Sequence, residues 1–109
     1  MKKIKGFEKI YGERFQMGGI IWEVSDAGSH ASYMPFTLRI VDTGKRAGDI
    51  TYRMITCFLD FYHLPTLEFW RDGSHIHTIE LKPEYYESKS AFIRTIVAGM
   101  QTLHNESKL

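Results

Sequence analysis

Five histidines in a chain of 109 residues raise the question of acid–base or metal chemistry, and two of them sit close together. His75 and His77 are two apart in a run of strand-forming residues, a spacing that points both imidazoles to one face. Glu68 joins them if the runs on either side of Asp72-Gly73 pair. Two imidazoles and a carboxylate supply the nitrogen and oxygen donors that zinc or iron accepts. The plainer reading is structural. In a tight two-residue hairpin Trp70 faces His75, Phe69 faces Ile76 and Glu68 faces His77, and such cross-strand pairs are ordinary stabilising contacts. A longer, bulged turn would shift these pairs. His-x-His has no further Cys or His near it in sequence. No metal or other cofactor is therefore assigned, and His75, His77 and Glu68 stand only as weak metal candidates.

Acid–base cleavage of a phosphodiester needs one proton acceptor, one donor and a cation. A histidine beside Glu68 and Arg71 meets that requirement on paper, as would His30 or His63 beside a carboxylate, but no spacing selects it. His63 has a simpler role as a cation in the last turn of a helix. Cys57 falls on an apolar stripe, where a thiol is usually an inert filler. No Gly-x-Ser-x-Gly is present. Thr43-Gly44-Lys45-Arg46 lacks the upstream glycine of a phosphate loop, since Arg39 stands there, and lacks Ser or Thr after the lysine. No catalytic residue is assigned, and the balance is against an enzyme.

The basic residues suggest a second chemistry. Lys2, Lys3, Lys5 and Lys9 crowd the start of the chain. Lys45 and Arg46 precede an expected helix whose N-terminus favours anions. With Arg39 and Arg53 they would form a phosphate-binding strip, beside which exposed rings would stack on single-stranded nucleic acid. Against this, Lys plus Arg is 14, Asp plus Glu is 13 and the net charge is +1. Asp42 and Asp49 bracket the loop in question. A strongly basic nucleic-acid coat is excluded.

These groups need a scaffold. The length fits one domain, 1–109, with frayed ends at about 1–5 and 105–109. Apolar residues are 43% and charged residues 25%, which excludes a disordered or fibrous chain. No apolar run approaches a membrane span. With a single cysteine there is no internal disulfide, and the start lacks the apolar core of a signal peptide, so a cytoplasmic location is expected.

Phe7, Ile10 and Tyr11 suggest a short first strand. Ile20 to Val24 and Phe36 to Val41 alternate with period two and read as strands, with Ile21 and Glu23 opposite Ile20, Trp22 and Val24. Ser25 to Ser32 reads as a loop, and Asp42 to Gly48 as a basic turn. From Asp49 the polar residues Arg53, Thr56, Asp60 and His63 step by three or four, which predicts an amphipathic helix ending at Leu64-Pro65; two strands are the alternative, since Thr, Tyr, Ile and Phe favour strands. Asp72-Gly73 between two strand-like runs predicts a hairpin. Phe92, Ile93, Ile96, Val97, Met100 and Leu103 predict a C-terminal helix from about Glu84 or Ser88 to His104. Gly99 inside it permits a close approach to the sheet. The expected fold is α+β: a mainly antiparallel sheet with two helices packed on one face.

The reading that follows is a small non-enzymatic protein-binding module of the inhibitor, adaptor, immunity or assembly type. Its expected contact residues are Trp70, Arg71, His75, Glu68 and His77, with another protein as partner, no membrane, and a homodimer through an edge strand as one form. The alternatives are nucleic-acid binding through Lys45, Arg46, Arg39, Arg53 and the N-terminal lysines, and a small His-dependent hydrolase or nuclease.

Overall fold

The computed structural model describes residues 10–17, 19–26, 33–41, 55–60 and 66–109. Among the described residues there are six strands: β1 (Arg14–Met17), β2 (Ile20–Asp26), β3 (Tyr33–Ile40), β4 (Ile55–Asp60), β5 (Thr66–Arg71) and β6 (Ser74–Glu80). They pair in chain order as an antiparallel meander. A 3-10 turn at Pro83–Tyr85 leads into helix α1, Lys89–Asn105. The α+β class expected from the sequence holds.

The second helix does not. Residues 55–60 form β4, hydrogen-bonded between β3 and β5. Ile55 and Cys57 are both buried, and Cys57 stands opposite Phe36 on one side and Phe69 on the other. Ile, Thr, Cys and Phe fit a strand once neighbours exist on both sides, and that non-local pairing overrides a short helix-like polar spacing. The remainder of the expected helix, 49–54 and 61–63, lies outside the described residues. Among the described residues only α1 packs on the sheet as an α-helix. Two smaller boundaries also move. Ile10 and Tyr11, expected in a first strand, lie in a turn before β1, which begins at Arg14, while Phe7 lies outside the described residues; β2 runs on through Ser25 and Asp26 where a loop was expected.

The hairpin between β5 and β6 turns at Asp72 (φ 51) and Gly73 (φ 77). Two successive positive φ angles are what a tight type I′ turn requires, and Asp-Gly supplies them cheaply. Beyond the turn the register departs from the two-residue expectation. Arg71 pairs with Ser74 and Trp70 with His75, but Phe69 pairs with His77 and Glu68 with Thr78. Ile76 is the extra residue of a β-bulge, and every later residue of β6 is displaced by one.

One face of the sheet carries the core. Met17, Trp22, Val24, Phe36, Leu38, Ile55, Cys57, Leu67 and Phe69 alternate along their strands and are buried. Helix α1 covers them with Phe92, Ile96, Met100 and Leu103, each no more than 1% exposed. Burial of each such side chain is worth roughly 1.5–3 kcal/mol. Ser88 caps the helix, its Oγ accepting from Ala91 N at 3.1 Å. At the other end the chain folds back on the helix. Lys108 N donates to Leu103 O at 2.9 Å, Ser107 takes φ 57, and Leu109 packs against the core.

Candidate functional site

The opposite face of the sheet has no helix on it among the described residues, and it carries Arg39, Glu68 and His75 together with Glu23 and Arg14. Its alternation places Arg14 of β1, Glu23 of β2 and Arg39 of β3 side by side, since Arg14 pairs with Glu23 and Glu23 with Arg39. Glu23 Oε2 accepts from Arg14 Nε at 3.0 Å. Its Oε1 accepts from Arg39 Nη2 at 2.6 Å and Nε at 3.1 Å. The carboxylate is 13% exposed between guanidinium groups that are 59% and 57% exposed. The hydrogen bonds from Arg39 and then Arg14 hold the Glu23 carboxyl below the usual carboxylate range.

Across the sheet on the same face, Trp70 of β5 meets His75 of β6. Their ring centroids lie 5.4 Å apart in an edge-to-face arrangement of 72°. The indole Nε1 donates to Glu68 Oε1 at 3.0 Å, two residues along the same strand. His75 Nε2 hydrogen-bonds the Thr78 hydroxyl. This contact exists because of the bulge, which lets residues three apart share a face. Trp70 is half-buried and His75 and Thr78 are exposed.

The expected contact residues therefore divide between two faces. Glu68, Trp70 and His75 stand together on the helix-free face. His77 stands opposite Phe69 on the covered face, with ring centroids 5.7 Å apart. The bulge separates His75 from His77, so Glu68, His75 and His77 do not converge. Among the described residues no three His, Cys, Asp or Glu side chains are placed to hold a metal ion. Arg71 also turns to the covered side, in phase with Leu67 and Phe69. Its Nη1 donates to Lys108 O at 2.8 Å, and its Nε lies 3.8 Å from Asp72 Oδ2. This guanidinium ties the C-terminal tail to the hairpin.

Of the expected phosphate strip, Arg39 lies in β3 and is engaged by Glu23. Lys45, Arg46, Arg53, Lys2, Lys3, Lys5 and Lys9 lie outside the described residues, as do His30 and His63. Cys57 lies in a central strand rather than on a helix, and burial pushes its thiol well up. Sequence reasoning missed Arg14 and Glu23. The one signal for Glu23 was its place on the face opposite Trp22 and Val24, and its partners emerge only from the strand register.

A separate hollow of about 360 Å³ lies beside α1, bordered by Ile79, Tyr85, Arg94 and Thr95. The Thr95 hydroxyl is within hydrogen-bond reach of the Ala91 and Tyr85 carbonyls, at 3.0 and 3.2 Å. Its one proton is shared between these carbonyls, so Thr95 offers the hollow no free donor.

No protein-family model, curated protein or solved structure matches this chain. No helix among the described residues is long and apolar enough to cross a membrane.

Proposed function

We propose that this chain is a non-enzymatic protein-binding module, and that its contact surface is the helix-free sheet face around Trp70. The observation that carries this reading is the setting of Trp70. A large ring stands on a face that carries no helix among the described residues, bonded to Glu68 and packed on His75. A tryptophan with its rotamer fixed before binding loses little entropy on contact, which is how hot-spot residues gain their weight. Partly polar surroundings then supply orientation rather than bulk affinity.

Both sheet edges argue for the face over edge pairing. Strand β1 is only four residues long, and β6 is bulged; both are devices that blunt strand addition. The enzyme reading has less support, because among the described residues His75 hydrogen-bonds Thr78 and no carboxylate. The nucleic-acid reading has less support too, because Arg14 and Arg39 are both engaged by Glu23.

Affinity capture tests the proposal. The immobilised wild-type chain should retain a protein that the Trp70→Ala variant, folded to the same circular dichroism spectrum, does not. Equal retention by both would contradict it.

A further inference from the structure

We infer that the helix-free face is self-complementary and that its partner is a second copy of this chain, packed face to face about a two-fold axis. The inference rests on the reading of that face as a contact surface and names its occupant. Among the described residues the face is electrically divided. At one corner, on β1 to β3, Arg14 and Arg39 outnumber Glu23 and leave one net positive charge. At the diagonal corner, on β5 and β6, stand Glu68 and Glu80, opposite Thr78 and Thr66 respectively. Glu80 is exposed and makes no ion pair among the described residues. Lys82 lies past the end of β6, outside the paired ladder. Trp70 and His75 lie between the corners, nearer the acidic one.

The register fixes the diagonal. Three to four strand spacings separate β2 from β5 and β6, or roughly 15–19 Å at ~4.8 Å each. Along the strands, Leu38 pairs with Ile55 and Thr56 with Trp70, which sets Arg39 level with residue 72. Glu68 is then four residues away, or about 14 Å at ~3.4 Å per residue. The two poles are thus displaced about equally across and along the sheet. A two-fold axis in the interface, perpendicular to that diagonal, lays each basic corner on the partner's acidic corner. The same operation crosses the two sets of strands at roughly 90°, one of the two standard ways in which sheets stack. It also brings the Trp70 and His75 of both copies into one interface on either side of the axis, in the reciprocal contacts of an isologous pair.

The available area sets the strength. Six strands about 20 Å long cover on the order of 500 Å² per copy, at the low end for specific association. A weak, salt-sensitive dimer follows, since its exposed charge pairs are screened as ionic strength rises.

Sedimentation of the full chain across rising protein concentration, at low and high salt, tests this. The wild type should show a monomer–dimer equilibrium that weakens as salt is added. Arg39→Glu and Glu80→Lys, each checked for an unchanged circular dichroism spectrum, should each weaken the dimer by tenfold or more. An equimolar mixture of the two should associate more tightly than either alone, because each face then meets its opposite. Arg14→Glu and Glu68→Lys form a second pair with the same expected outcome, in case either first variant fails to fold. A dimer that both single variants keep at full strength uses another surface and overturns the inference. A wild type that stays monomeric throughout also overturns it; Trp70-dependent capture of a different protein would then leave the contact face standing with another occupant.

Discussion

The Phe69 ring lies where a side chain on Gly99 would begin: a Cβ built there would come within 2.4 Å of Phe69 Cζ and 3.1 Å of Ile79 Cδ1. Helix α1 therefore sits on the sheet at a distance only glycine permits. An alanine at an ordinary exposed helix position would gain about 1 kcal/mol over glycine. Here Gly99→Ala must push the helix or the Phe69 ring aside, and overpacking costs ~1–3 kcal/mol. A lower urea midpoint is expected. An unchanged or higher midpoint would mean that the contact is loose.

Glu23 carries the acid sensitivity of the open face. Its folded carboxyl titrates below the usual range because Arg39 and Arg14 bond the ionised form. The stabilisation is fully present above the unfolded value and is lost as pH falls through the folded one. Stability measured from neutral to acid pH should fall less in Glu23→Gln than in the wild type over that window. Parallel curves would contradict the assignment.

Cys57 should be chemically silent in the folded chain. It is fully buried, and burial raises its thiol well above the ordinary value. A thiol reagent at neutral pH should react at the rate of unfolding and become fast in denaturant. Rapid modification of the native protein would contradict the placement of Cys57 in the core.

Arg71 and Trp70 are sequence neighbours with separate duties. Arg71→Ala should release the tail held at Lys108 and raise amide exchange at residues 106–109, while leaving partner retention intact. Loss of retention in Arg71→Ala, with tail exchange unchanged, would reverse the assignment.

Elements whose causes are local are legible in the sequence. Asp72-Gly73 turns the last hairpin because two adjacent residues reach positive φ. Ser88 and the apolar stripe from Phe92 to Leu103 define α1 without reference to the rest of the chain. Strand β4 was hidden because Thr56 and Asp60 are four apart, which fits a helix as readily as two same-face positions of a strand; β3 and β5 decide between the two. The bulge at Ile76 carries no compositional mark, yet it moves His77 to the covered face and brings His75 to Thr78. The Glu23 cluster draws its arginines from 9 and 16 residues away, and only the register brings them together. The pairing of Trp70 with His75 was legible because it lies between the turn and the bulge.

The most direct test of the contact face is site-specific photo-crosslinking. A photoreactive phenylalanine replaces Trp70 in one sample and His104, exposed on the outer side of α1, in another. Irradiation in lysate and of the purified chain should give a covalent protein adduct from position 70, with little from position 104. Adducts from position 104 with none from position 70 would show that this protein meets its partners on the helix side, and would contradict the account.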